Sequence, residues 1–74
     1  MEINEFIEKF ADAIEIDDLS SLSPNTHFRD LEEWSSLGGF ILIGTIKESC
    51  GKEITAADIR ACETIDDLYK LAES

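Results

Sequence analysis

Basic residues are scarce in this 74-residue chain: six lysines and arginines stand against seventeen aspartates and glutamates, so the formal net charge is −11. Binding to nucleic acid or to an anionic membrane surface requires clusters of basic side chains, and this balance argues against both. The longest apolar run, residues 40–43, is far too short to span a bilayer. Because the first residues are acidic and lack the basic segment of a signal peptide, we expect a cytoplasmic protein.

Cysteine and histidine are too few to build a disulfide framework or a zinc site. Cys50 and Cys62 are the only cysteines, His27 is the only histidine, and the chain has no CxxC motif. We therefore expect no metal, and a core made by helix packing alone. A single histidine also offers little for a nucleophile and base pair, so an enzyme is the least favoured class of function.

Hydrophobic periodicity predicts one all-α domain over residues 1–74, a small bundle with three longer helices and one short helix. Residues 2–15 form the first amphipathic helix, and residues 36–50 form the second, which Gly51 ends. Thr55 and Thr64 begin the last two helices, since each is followed by an acid three residues later, as in a capping box. The second helix is expected to bury Leu37, Phe40, Leu42, Ile43 and Ile46.

Residues 16–34 are predicted to form a long loop, because they hold the only proline, Pro24, and no sustained hydrophobic period. A short turn of helix is expected near residues 28–31, and Trp34 is interpreted as an anchor of the loop. A loop this long in so small a domain tends to be functional. The apolar residues expected to pin it to the core are Leu19, Leu22, Phe28 and Leu31.

Ser36 lies where this loop meets the second helix. Free backbone N–H groups and the positive end of the helix dipole favour a phosphate at such a position. Ser36 therefore suits the attachment of a phosphodiester-linked prosthetic group. Since no base lies near it in the sequence, an outside enzyme would have to attach that group. The alternative is that Ser35 or Ser36 is simply the N-cap of the helix, a common role for serine.

An ordered set of segments resembles the acyl carrier proteins. Residues 26–34 resemble the loop before the Asp-Ser-Leu motif of that family, and Ser35, Ser36 and Leu37 occupy the position of the motif. Residues 50–54 are similar to the family's Phe-Gly-x-x-Ile helix exit, and residues 64–68 fit the start of its last helix. The resemblance covers essentially the whole chain.

The resemblance implies a right-handed four-helix bundle with a long loop between helices 1 and 2 and a short third helix. It also implies that a phosphopantetheinyl transferase attaches 4′-phosphopantetheine from coenzyme A to Ser36. The protein would then be a monomeric, non-catalytic carrier of acyl thioesters, serving acyl-ligase or synthase-type enzymes of a fatty-acid, lipid or polyketide-type pathway. The alternatives are an aminoacyl or peptidyl carrier, and a small acidic helical protein-binding module without a prosthetic group.

Two departures from the family concern the docking of partners. Ser35 stands where the family has aspartate, and the second helix carries only two charges, Lys47 and Glu48, where the family usually presents acids. We therefore expect docking to depend more on apolar contact, which favours a specialised pathway over housekeeping fatty-acid synthesis. The candidate partner-binding residues are Ser35, Leu37, Ile41, Gly44, Lys47, Glu48 and Ile54.

Gly38 and Gly39 lie in the first turns of the second helix, where each glycine costs about 1 kcal/mol relative to alanine. One interpretation is a flat backbone surface that lets a partner approach closely, and the other is a tolerated frayed helix end. If both are helical and free of contacts, alanine at both positions raises stability. A loss of stability would instead indicate that they pack against another element.

Overall fold

Residues 2–73, the part of the chain that the computed structural model describes, fold into four α-helices. The helices are α1 (Ile3–Ala13), α2 (Ser36–Cys50), α3 (Ala56–Arg60) and α4 (Ile65–Glu73). The loop between α1 and α2 contains two 3-10 turns, Leu19–Ser21 and Phe28–Asp30. The predicted all-α bundle, with its long loop and short third helix, is confirmed. No helix among the described residues is long and apolar enough to cross a membrane.

The first helix ends slightly earlier than predicted, because Glu15 takes a left-handed conformation with φ of 61°. The Ile16 N–H donates to the Ala11 carbonyl at 2.8 Å, and the Glu15 N–H donates to the Asp12 carbonyl at 3.3 Å. This pair of bonds is a Schellman ending, in which glycine is the usual left-handed residue. The predicted apolar face of α1 is buried at Phe6, Ile7, Phe10 and Ile14, with Ile3 half-buried.

Reciprocal capping boxes begin α3 and α4, as the sequence predicts. Thr55 Oγ1 accepts the Asp58 N–H at 3.2 Å, and the Asp58 carboxylate accepts the Thr55 N–H at 2.9 Å. Thr64 and Asp67 repeat this exchange at 3.2 Å in both directions. The N–H groups of Glu63 and Thr64 both donate to the Asp67 carboxylate and hold its pKa below the usual value for aspartate.

Two carbonyl groups of the long loop fix the start of α4. The Ile65 N–H donates to the Thr26 carbonyl at 3.1 Å, and the Asp66 N–H donates to the Pro24 carbonyl at 2.9 Å. The first N–H groups of a helix have no partner within the helix itself, so the loop satisfies donors that would otherwise be left unpaired. The predicted attachment of the loop to the bundle therefore includes backbone hydrogen bonds as well as apolar contacts.

Three aromatic rings join the loop to α1. Phe10 and Trp34 stack with an interplanar angle of 9° and centroids 6.1 Å apart, while Phe28 meets both rings edge to face. Leu22 and Phe28 are buried, as predicted for anchors of the loop. The prediction is wrong for Leu19, which is 41% exposed. We call the three rings the aromatic cluster.

The buried face of α2 differs from the predicted one. Leu37 and Phe40 were expected in the core, but their side chains are 69% and 68% exposed. Residues 36–46 carry no charge, so hydrophobic periodicity could not indicate which side of this helix packs inward. The side that packs against the bundle is the one with the two glycines. The buried residues of α2 are Gly38, Gly39, Leu42 and Ile46.

Gly38 lets the end of α1 approach α2 closely. A Cβ atom added at Gly38 would lie 2.8 Å from the Cγ2 atom of Ile14, a buried side chain. A Cβ atom added at Gly39 would lie 3.6 Å from the Trp34 ring, which is an ordinary contact. Both earlier interpretations, an open docking surface and a frayed helix end, are therefore wrong for Gly38. This glycine is a packing position between two helices.

We expect Gly38→Ala to lower the free energy of unfolding by about 1 kcal/mol, because overpacking against Ile14 outweighs the gain in helix propensity. Gly44 is the matched control, since it lies in the same helix and has nothing within 4 Å of an added Cβ. Gly44→Ala should raise the free energy of unfolding by about 0.5–1 kcal/mol. Urea unfolding of both variants tests this. Equal stabilisation by both would contradict the close contact.

Candidate functional site

Ser35 is the N-cap of α2. Its Oγ atom accepts the Gly38 N–H at 3.2 Å, and its carbonyl accepts the Gly39 N–H at 3.0 Å. Its backbone is extended, with φ of −150° and ψ of 171°, as expected of an N-cap residue. The capping role that the sequence left open between two serines therefore belongs to Ser35 and not to Ser36.

Ser36 is the first residue of α2, and it is exposed. Among residues 2–73, the N–H groups of Ser36 and Leu37 have no hydrogen-bond partner. These two donors and the positive end of a 15-residue helix favour an anion at this point. Ser36 thus combines a hydroxyl open to solvent with local chemistry that suits a phosphate attached to it.

Trp34 fixes the backbone just before the two serines. Its ring is half-buried, stacks on Phe10 and lies 4.8 Å from the Phe28 ring, centroid to centroid. The aromatic cluster therefore determines where the loop ends and where α2 begins. This agrees with the prediction that Trp34 anchors the loop.

A cleft of about 390 Å³ opens beside Ser36, between α2 and α3. Its volume lies within the range of sites that hold small molecules. The helix containing Ser36 supplies one wall and α3 supplies the other. The residues that form its mostly apolar walls are Trp34, Gly39, Phe40, Ile43, Ala56 and Ile59.

The charged side chains of this cleft are both basic. Arg29 and Arg60 are the only arginines of the sequence, and both line the cleft. No aspartate or glutamate of residues 2–73 lines it, although the chain has seventeen acids. The Arg29 guanidinium donates to the carbonyls of Arg60, at 2.9 Å, and Cys62, and it lies 5.4 Å from the centroid of the Phe28 ring. The cleft is thus positive within an acidic molecule.

The predicted partner-binding residues divide by exposure. Ile54 is only 5% exposed, so its side chain belongs to the core and the structure does not support a docking role for it. Lys47 is exposed and forms an ion pair with Glu53 at 3.0 Å. The other predicted residues, Ser35, Leu37, Ile41, Gly44 and Glu48, are all exposed.

Phe40 joins Leu37 and Ile41 in an exposed apolar surface on α2, which we call the α2 patch. Residues three and four positions apart are neighbours on a helix surface, so these three side chains are adjacent. The exposure of Phe40 was not predicted from the sequence, because the hydrophobic pattern placed this residue in the core. Sequence reasoning also missed the two arginines, for which the only available signal was their isolation in an acidic chain.

A family model for the phosphopantetheine attachment site matches residues 4–72 of this chain. The chain belongs to this family. Comparisons with curated proteins and with solved structures found no match. The resemblance to acyl carrier proteins is thereby confirmed at the level of the family. Domains of this family carry covalently attached 4′-phosphopantetheine, and they are in general non-catalytic and modified by phosphopantetheinyl transferases.

The residues around Ser36 fit such a group on three counts. The hydroxyl is exposed, the free N–H groups of Ser36 and Leu37 can donate to a phosphate, and the adjacent cleft has no acid among its described lining residues. Ser35, which replaces the aspartate of the family motif, keeps the helix capped. The N-terminus of α2 is therefore capped without a negative charge at residue 35.

We expect Ser35→Ala to lower the free energy of unfolding by about 1 kcal/mol, because the Gly38 N–H loses its acceptor. Ser35→Asp should retain the stability, since a carboxylate accepts the same N–H and interacts favourably with the helix dipole. Ser36→Ala is the matched control and should change the value by less than about 0.5 kcal/mol. Urea unfolding gives all three values. The opposite ranking of the two alanine variants would assign the cap to Ser36.

Proposed function

We propose that this protein is an acyl carrier protein that bears 4′-phosphopantetheine on Ser36. The proposal is carried by one observation, that the two serines at the start of α2 have different roles. Ser35 accepts the capping hydrogen bond, whereas Ser36 is exposed at the first helical position. A serine that served only to cap the helix would be engaged with the backbone. Ser36 is instead available to an outside enzyme.

Each neighbouring residue then has a defined part in holding the attachment point. Trp34, packed in the aromatic cluster, positions the end of the loop, and Ser35 closes the helix end. The N–H groups of Ser36 and Leu37 have no hydrogen-bond partner among residues 2–73 and are available to donate to a phosphate on Ser36. When bound, the prosthetic group supplies a thiol that carries acyl groups as thioesters. The carrier domain itself contributes position, not catalysis.

The cleft beside Ser36 supports acyl cargo over aminoacyl cargo. Its walls are mostly apolar, and burial of methylene groups is favourable by roughly 0.8 kcal/mol each. A long flexible arm attached at Ser36 can fold back into a cleft that Ser36 itself lines. We therefore place the protein in a fatty-acid or specialised lipid or polyketide-type pathway.

The partner enzymes are proposed to dock on the α2 patch. Leu37, Phe40 and Ile41 lie within the first turns after Ser36, where an enzyme acting on the attached group must approach. Lys47 and Glu48 are the only charges on this helix, so a strongly basic partner surface gains little here. The apolar character of the α2 patch favours a specialised pathway with its own synthase or ligase.

The attachment is tested by intact mass after incubation with coenzyme A and a broad-range phosphopantetheinyl transferase. We expect the wild-type protein and Ser35→Ala to gain one phosphopantetheinyl group, and Ser36→Ala to gain none. Addition to Ser36→Ala would place the site elsewhere. Failure of the wild type with several transferases would favour the alternative, a helical binding module without a prosthetic group.

Docking is tested by the kinetics of the same transfer. Ile41→Glu should raise the KM for the carrier protein by roughly tenfold with little change in kcat, because a charge replaces an apolar contact in the α2 patch. Asn4→Glu adds the same charge to an exposed position of α1 and should leave the KM unchanged. Circular dichroism checks that both variants fold. An equal effect of both would mean that net charge, and not the α2 patch, determines docking.

A further inference from the structure

The cleft beside Ser36 concentrates positive charge in a molecule whose net charge is −11. Both arginines of the chain line it, and no acid among residues 2–73 does. Apolar cargo alone gives no reason for guanidinium groups in this place. The apolar walls and the two arginines together suit a ligand that is apolar along its length and anionic at one end.

The Arg29 guanidinium already makes contacts within the protein. It donates to the carbonyls of Arg60 and Cys62, at the end of α3, and lies over the Phe28 ring. It thereby supplies the cation that the negative end of a helix favours. Arg29 contributes charge to the cleft, but its donors are largely used by the protein.

Arg60 is the side chain left for a ligand. Its backbone carbonyl accepts from Arg29, but within residues 2–73 its own guanidinium forms neither an ion pair nor a hydrogen bond. Because Arg29 already serves the end of α3, the charge of Arg60 is not needed there. A guanidinium offers paired donors that match a carboxylate in a bidentate arrangement.

We propose that the cleft binds acyl cargo ending in a carboxylate, the half-thioester of a dicarboxylic acid, with Arg60 as the counter-ion. This inference rests on the proposed attachment of the arm to Ser36. The phosphate of the arm, tethered at Ser36 Oγ, is the other available anion beside the same cleft, and loading the arm without an acyl group distinguishes the two. The far end of the cargo, at the tip of the arm, can reach along the apolar walls to a guanidinium.

The experiment loads the apo protein with an adipyl group, which ends in a carboxylate, or with its terminal amide, which has the same length and no charge. A phosphopantetheinyl transferase transfers each from the corresponding coenzyme A thioester, and intact mass confirms loading at Ser36. The first readout is the hydrolysis rate of the thioester, divided by its rate on free coenzyme A. The second is the fluorescence of Trp34, the only tryptophan, which lines the cleft.

We expect the adipyl thioester to be protected about fivefold more than the amide, the size of effect of one partly shielded ion pair. Trp34 fluorescence should change with the adipyl group only. Arg60→Gln should abolish the difference, and Arg60→Lys should retain part of it. Lys70→Gln is the matched control, because it removes a positive charge that does not line the cleft and should preserve the difference.

Equal protection of the two thioesters would overturn the inference and leave the proposed function intact. An Arg60-dependent change of Trp34 fluorescence that appears in full with the arm alone, before any acyl group is loaded, would also overturn it. That result would assign the anion to the phosphodiester. If no mass is added at Ser36, the proposed function fails and this inference fails with it, so the two failures are distinguishable.

Discussion

The packing of Trp34 against Phe10 and Phe28 holds the end of the long loop, and with it the start of α2, in place. It joins α1, the long loop and the start of α2, so it determines where Ser35 and Ser36 lie. A domain this small has little apolar surface to bury, and aromatic rings provide much of it per residue. The same ring that anchors the loop also forms a wall of the cleft. Stability and the position of Ser36 therefore have a common physical origin.

Close approach of α1 and α2 explains the unusual surface of the second helix. With no Cβ at Gly38, the Ile14 side chain packs directly onto the α2 backbone, and Leu42 and Ile46 continue the same buried side. Leu37 and Phe40 are turned to solvent as a consequence. The α2 patch is thus the exposed side of a helix whose opposite side packs against α1 through Gly38. Because this helix has apolar residues on several sides, one apolar side can face a partner while another stays packed in the core.

Charge is distributed unevenly between the cleft and the rest of the molecule. The acids that dominate the composition keep the molecule far from neutrality, whereas the described residues lining the cleft include two arginines and no acid. The Arg29 guanidinium donates to backbone carbonyls at the end of α3, and it thereby holds the loop against that helix. Arg60, one residue from the apolar wall at Ile59, has no such task within residues 2–73. The charged side chains that line the cleft beside Ser36 are therefore opposite in sign to the net charge of the chain.

The number, order and approximate bounds of the helices could be predicted from the sequence, because the capping boxes at Thr55 and Thr64, the stop at Gly51 and the periodicity of α1 are local signals. The sequence also singled out Ser36 and the family. The side of α2 that faces the core depends on tertiary packing, since residues 36–46 carry no charge that would mark a polar face. Only the structure brought Arg29 and Arg60 to the cleft beside Ser36, since residues so far apart along the chain meet only through the packing of the loop and α3 against α2.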